Sequence, residues 1–434
     1  MCTQIAINMA MTSPVRRLPA EVLALIFDAM LEENDAFQRP TIAAGTVMGV
    51  CHSWFLVVRG MSHIWRNLCG GCPDRHHDHS LERMHHMAGL AQSRLLRMRW
   101  LAASALEDLG RILMEYTARL EHLELRCSWY ELASLSVIEL PLLKSIDVGL
   151  HGPANPFPLK IISGAPLLTR LTVYALPPYG GSDDGNDSIV RSFPFFHKSS
   201  QMLRFTHVSL SLSISPLLSS VIQLLHDCRG SLIKLKLSGD VTMDREPGSD
   251  PSIVMEVLEG MDLGWEACQL TRVIAAPSLC TLALRDCVVE DEDGGCKPGN
   301  VWTTVLGLFQ DEDHIPSLKR LDLQRVDLAF PDSSADFDSV ANVTMGLREL
   351  HIDNSDKSFS LPQTYDCMFT RLQCCHSLTP CFPCLSHLTV LLGDRASDEV
   401  TASIYHGVLR CRDKQHVCAS KIITQLEHIM TDIQ

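Results

Sequence analysis

The sequence predicts an α/β chain in two parts: a small all-α helical module, then an irregular repeat solenoid built on a curved parallel sheet. Three observations predict it. Between Leu18 and Trp65, apolar residues recur at helical spacing. From about residue 94 onward, a phrase of the form L-x-x-L-x-L keeps returning. Hydrophobic residues fill 46% of the 434 positions but aromatic residues only 6%, so aliphatic side chains must pack a large core. That is the economy of stacked repeats.

The first helix opens at Leu18-Pro19. Pro suits a first turn, where its missing N–H would lack a partner anyway, and Glu21 puts a carboxylate at the positive end of the helix dipole. Leu18, Val22, Leu25, Ile26 and Ala29 give one apolar face, and Leu23, Phe27 and Leu31 give a second. A helix apolar on two sides is buried on two sides, in its own core or against a partner. Leu18 cannot cap the helix as Ser or Asp would, a local misfit that points to a binding edge. After an acidic break (Glu32-Glu33-Asn34-Asp35) come Val50-Cys51-His52-Ser53-Trp54 and Ile64-Trp65.

Taken in order, Leu18-Pro19, Ile26-Phe27, Val50-Cys51-x-x-Trp54 and Ile64-Trp65 resemble the F-box, the helical module that docks a substrate receptor onto a Skp-family adaptor. The resemblance covers about 50 residues, and the stretch between Phe27 and Val50 is longer than the common pattern. It implies that Leu18, Pro19, Val22, Ile26, Phe27, Val50, Cys51 and Trp54 bury against the adaptor and reach a cullin through it. Trp65 and Leu68 would seal the module's own core and its join to the repeats. The resemblance further implies a substrate receptor of a ubiquitin ligase, which holds a protein target beside a ubiquitin-charged partner. Such a chain is no enzyme; it raises effective concentration. The alternative is a scaffold whose helical N-terminus merely caps the repeats, and it predicts that Leu18, Pro19 and Phe27 are buried within the chain itself.

The repeated phrase occurs at Leu95-Met98-Trp100, Leu120-Leu123-Leu125, Leu143-Ile146-Val148, Leu168-Leu171-Val173 and Phe205-Val208-Leu210. It continues at Leu232-Leu235-Leu237, Leu279-Leu282-Leu284, Leu318-Leu321-Leu323, Leu347-Leu350-Ile352 and Leu385-Leu388-Val390. The first four centres lie about one leucine-rich repeat apart, roughly 20–29 residues, and insertions stretch the later intervals. The last two apolar residues of each phrase have period two, which marks a short strand with one buried face. The residues between them are mostly polar, as in Lys234 and Lys236 or Arg320 and Asp322. Degenerate leucine-rich repeats of mixed length follow from this, with an ordinary parallel α/β domain as the alternative. Cys287 meets the repeat signature's Asn or Cys position, and most other repeats do not.

Ile253, Val257, Leu258 and Met261 suit a return helix, as do Val301, Val305, Leu308 and Phe309. Ile422, Ile423, Leu426, Ile429, Met430 and Ile433 outline a C-terminal helix that would cap the open end. The acidic or Gly-rich stretches 177–187, 244–250 with 290–295, and 331–338 read as solvated loops. The expected organisation is a disordered N-terminus (1–14), helical module (15–69), linker (70–92), repeats (93–415) and capping helix (416–434). On the polar face, Arg126, Arg170, Tyr174, Arg285 and Arg320 are the expected substrate contacts, because Arg and Tyr dominate interface hot spots.

A formal net charge of −14 argues against nucleic acid or an anionic membrane as the main partner. No apolar run is long enough to span a bilayer, and the first residues lack a secretory pattern. Seventeen scattered cysteines fit a reducing compartment, cytosol or nucleus. Cys69, Cys72, His76, His77, His79, His85 and His86 crowd one segment, and Cys374, Cys375, Cys381 and Cys384 another. Each contains a C-x₂-C pair, which is ligand-like for zinc, but the histidines of the first match no common finger spacing, and Cys384 of the second directly precedes a repeat strand, where a small buried residue is natural. The first therefore reads as a polar linker, and no metal or cofactor is expected. G-x-S-x-G, G-x-x-x-x-G-K-[ST] and H-E-x-x-H are absent, which leaves no motif that calls for catalysis.

Overall fold

All ten phrases form strands in the computed structural model. It describes residues 18–32, 40–70, 78–101, 106–128, 132, 138–151, 164–175, 203–211, 218–239, 241, 253–290, 296–298, 301–308, 318–326, 328, 339–340, 344–355, 382–391, 416–418, 421–423 and 428–431. The chain divides into two compact units: Met1–Gly152 with Phe157–Leu168, and Pro153–Pro156 with Thr169–Gln434.

In the first unit, helices α1 (Ala20–Glu32), α2 (Pro40–Met48) and α3 (His52–Gly60) pack on one another. The carbonyl of Pro19 accepts the N–H groups of Val22 and Leu23, each at 3.1 Å, so the proline stands just ahead of α1 rather than in its first turn. The two apolar sides of α1 meet different fates. Leu23 and Phe27 enter the module's core, while Val22, Leu25, Ile26 and Met30 stay exposed. A 3-10 turn at Ile64–Arg66 buries Ile64 and Trp65, and the Trp65 indole donates to the carbonyl of Val58 at 3.0 Å.

The turn leads directly into β1 (Asn67–Gly70), which is parallel to β2 (Leu96–Trp100). Strands β3 (Leu120–Ser128) and β4 (Ser145–His151) follow in parallel register. Leu68, Met98, Leu123 and Ile146 align in one fully buried row. Each Leu-sized side chain so buried contributes about 1.5–3 kcal/mol. Gly70 is required by the next strand: a Cβ there would lie 2.5 Å from the buried Trp100 ring. Helices α4 (Asp78–Leu90) and α5 (Leu106–Tyr116) cover the core with Met84, Met87 and Ala88, and with Leu109, Ile112 and Leu113. The expected boundaries therefore shift. The segment 70–92 is not merely a linker, because most of it is helix α4, and β1 starts inside the expected module.

In the second unit, β5 (Arg170–Ala175), β6 (His207–Ser211) and β7 (Lys234–Ser238) run in parallel, with helix α6 (Leu218–Cys228) between β6 and β7 in sequence. Next come β8 (Ile253–Val254), β9 (Gly260–Gly264), a 3-10 segment (Trp265–Arg272), β10 (Ile274–Ala275), β11 (Thr281–Arg285), β12 (Val288–Glu290) and β13 (Cys296–Pro298). Helix α7 (Val301–Gly307) precedes β14 (Arg320–Gln324), β15 (Glu349–Asp353) and β16 (His387–Leu391); β17 (His416–Cys418), β18 (Lys421–Ile423) and β19 (His428–Thr431) end the unit. The main sheet orders its strands β5-β6-β7-β9-β11-β14-β15-β16-β19, each parallel to the next. Short ladders pair β8 with β10, β12 with β13 and β17 with β18.

Two expected helices are strands instead. The 253–261 segment forms β8, a turn and the start of β9, whereas Val301 and Val305 do lie on a helix, α7, with Leu308 buried just after it. In the described part of the expected C-terminal capping helix (416–434), β17, β18 and β19 stand instead, and β19 extends the parallel sheet beside β16. The physical reason is that L-x-x-L fits both one face of a helix and the entry into a strand. Leu258-Met261-Leu263 and Leu426-Ile429-Thr431 are further copies of the strand phrase.

Strand exits share a geometry as well. Gly239, Trp265, Asp286 and Arg325, each just past a main-sheet strand, all have positive φ. Asp286 and Arg325 pair through both carboxylate oxygens. Asn354, just past β15, is buried and bridges back: its side chain donates to the Val326 carbonyl and accepts from the Val326 N–H, both at 3.1 Å. The loops 177–187, 244–250 and 331–338, most of 290–295 and the expected N-terminal tail lie outside the described residues.

Candidate functional site

Two surfaces carry the expected contacts. The first is the helical module. Phe27 has no exposure and meets the Trp54 ring edge-on, with centroids 4.9 Å apart and planes at 63°. This corrects the expectation that Phe27 offers surface to an adaptor: it belongs to the module's own core, because α3 covers that side of α1. Trp54 is half-buried for the same reason, and its Nε1–H is buried without an acceptor among the described residues.

The opposite side of α1 is open. Leu25 is 69% exposed, Met30 51%, Ile26 40% and Val22 39%. At 100° per residue these four fall within one stripe about two-fifths of the helix circumference wide. Pro19 is exposed at its start, Leu18 half-buried, and Val50 and Cys51 stand exposed and half-buried ahead of α3. Met30 was not among the expected contacts, although its i+4 relation to Ile26 signals it. His63 pairs with Asp28 of α1, tying the helix to the turn before β1.

The second surface is the polar side of the strands. In the first unit it holds a nearly buried charge, Glu124, only 6% exposed, which accepts from Arg99 at 2.6 Å with Arg126 3.7 Å away. Arg126 is thus exposed but already engaged. Burial pushes the His122 imidazole below its ordinary value, outweighing the opposite pull of Asp147 at 3.6 Å. In the second unit Arg285 is also engaged, by Asp262 and Gln324, each at 2.9 Å. Arg320 contacts Asp322 at 3.1 Å and Glu349 at 3.4 Å, and the Asp322 hydrogen bond holds its pKa above the usual value.

Arg170 and Tyr174 sit on β5, four strands from Arg285 and five from Arg320. At about 4.8 Å per strand that is roughly 19 and 24 Å, so the five expected contacts do not form one cluster. Arg170 differs from Arg126, Arg285 and Arg320 in making no ion pair among the described residues. It is accompanied by His207 and Lys234, which share its register on β6 and β7. Neither was expected as a contact, and counting charge strand by strand would have found both.

Among the described residues, no group of three or more His, Cys, Asp and Glu could hold a metal ion. Cys69 is exposed on β1, His85 bonds Glu115 and Tyr116, and Cys72, His76 and His77 lie outside the described residues, as do Cys374, Cys375 and Cys381. Cys384 is exposed in a turn, not buried as its place before a strand suggests. Cys268 and Cys287 are buried free thiols with sulfurs 2.9 Å apart, and their mutual hydrogen bond and burial keep the Cys268 thiol protonated. No described helix is long and apolar enough to cross a membrane. No family model matches the chain, and no curated protein is significantly similar to it.

Proposed function

We propose that the chain is the substrate-receptor subunit of a Skp–cullin–F-box ubiquitin ligase, docking the adaptor through α1 and holding a protein target on its strand face. One observation carries the reading: the apolar stripe Val22, Leu25, Ile26 and Met30, left uncovered on a helix whose Leu23 and Phe27 are buried in the module's core. Four large apolar side chains on one side of one helix form a contiguous patch of the kind that marks a protein interface. Its position falls on the Leu18 to Trp65 stretch whose residues resemble the F-box.

The chain's part in catalysis is positional. The adaptor and cullin bring a ubiquitin-charged partner, and the strand face fixes a target lysine within its reach, raising effective concentration. A scaffold with a helical cap is the second reading, favoured by the full burial of Phe27 and by the direct passage from the 3-10 turn into β1. It leaves the stripe and the exposed Pro19 without a role.

The test is co-purification of the full chain with a Skp-family adaptor and a cullin. The receptor reading expects a stoichiometric complex that Leu25→Asp/Ile26→Asp abolishes without loss of folding. A well-folded chain that captures no adaptor overturns the receptor reading and leaves the scaffold.

A further inference from the structure

We propose that the outward face of β5, β6 and β7 is a docking surface for an acidic segment of a partner protein. The inference rests on the reading of the strand face as the target-binding side, and it names the chemistry of that target. The three strands pair in parallel register, so their outward positions form a grid of nine side chains. Arg170, His207 and Lys234 form one row across it, and Lys236 lies in the next. The other five positions are Ser, Thr or Tyr. The grid holds no carboxylate, in a chain whose formal net charge is −14.

The contrast with the rest of the same sheet supports a binding role. From β9 to β15 the outward positions mix signs and satisfy themselves: Asp262 takes Arg285, and Asp322 and Glu349 take Arg320. Asp262 also reaches across to Lys236 at 3.2 Å, and among the described residues no other carboxylate makes an ion pair with the grid. Arg170 and Lys234 make no ion pair among the described residues. They stand two strands apart, about 10 Å, with His207 between them. Burial pushes the His207 imidazole below its ordinary value, and Arg170 and Lys234 on either side push the same way.

Like charges set side by side across strands repel, so this row is disfavoured in the free chain and relieved when an anion arrives. Guanidinium, ammonium and hydroxyl groups together form charge-assisted hydrogen bonds to carboxylate or phosphate oxygens. A flexible acidic segment can place two such groups against Arg170 and Lys234 at once.

Fluorescence anisotropy of the full chain tests the proposal, with three short labelled peptides of equal length: Glu-rich, the same with phosphoserine, and Lys-rich. A single-stranded DNA oligonucleotide of matched charge is the fourth probe. The expected result is binding of the Glu-rich or phosphoserine peptide, weakened by salt, and absent for the Lys-rich one. Arg170→Gln and Lys234→Gln should each weaken it by about tenfold, while Arg111→Gln, on helix α5 of the first unit, leaves it unchanged. Equal binding of the Lys-rich peptide, no loss in the Arg170→Gln/Lys234→Gln variant, or tighter binding of DNA than of either acidic peptide overturns the proposal. Adaptor capture by the same preparation separates the two readings. Capture without acidic-peptide binding sinks this proposal alone, whereas peptide binding without capture removes only the ligase role.

Discussion

The division of α1 into a packed side and an open side predicts that neighbouring residues behave oppositely on substitution. Phe27 and Leu25 are two positions apart on the same helix. Phe27 has no exposure and packs its ring against Trp54 at 4.9 Å. Truncation to Ala removes the ring's burial and leaves a cavity, at a cost of about 3–5 kcal/mol. Of that, about 0.5–1.5 kcal/mol is the edge-to-face contact itself. Leu25 is 69% exposed, so Leu25→Ala changes stability by no more than about 0.5 kcal/mol. Domains are stable by only about 5–15 kcal/mol, so Phe27→Ala brings the helical module close to unfolding.

Amide hydrogen exchange reads this locally, which matters in a chain of two units. Phe27→Ala should cost protection across Ala20–Glu32 and His52–Gly60 while Thr281–Arg285 in the second unit keeps its own. Protection in α1 and α3 within about 1 kcal/mol of the parent would refute the packing of Phe27. A loss for Leu25→Ala as large as for Phe27→Ala would refute the open stripe.

Other consequences follow from single side chains. Asn354→Ala strands the Val326 N–H and C=O in a buried place and should destabilise the second unit by about 1–3 kcal/mol; denaturant unfolding checks it, and a change under about 0.5 kcal/mol contradicts the bridge. His122 is held below its ordinary pKa by burial, so the unfolded chain binds a proton that the folded chain resists. Its effect is absent well above about pH 6.5 and grows as pH falls through that value toward the depressed folded pKa. Acidification from about pH 7.5 to about 5.5 should therefore lower the melting temperature less in His122→Gln than in the parent, and equal slopes would contradict the assignment.

The strands were the most legible part of the fold. Leu235 and Leu237, flanked by Lys234 and Lys236, announce one buried and one wet side in five residues, and the structure gives both. Leu258-Met261-Leu263 and Leu426-Ile429-Thr431 carry the same phrase, yet their first two residues are three apart, which a helix accepts equally. Gly260 and Gly264 around β9 disfavour a helix and were the available signal. The positive φ of Trp265 and Arg325 had no signal, since neither is a residue such a position favours, whereas Asp286 is of a type that enters that region more readily.

The candidate surfaces were legible as regions but not residue by residue. Ile26 and Phe27 are adjacent, apolar and 100° apart on the helix; only the placement of α3 decides which is core. Among the arginines, composition could not separate those already paired, such as Arg285, from Arg170, because the pairing runs between strands set by register. The net charge of −14 likewise conceals a carboxylate-free patch on β5–β7.

The most direct test of the account is a calorimetric titration of the full chain with a Skp-family adaptor. It is run on the parent, on Leu25→Asp/Ile26→Asp, and on Arg170→Gln/Lys234→Gln as a surface control. The account predicts tight binding by the parent and by the control, and at least about a hundredfold loss in the α1 variant, with all three equally folded by hydrogen exchange. No binding by the folded parent, or undiminished binding by the α1 variant, would contradict it.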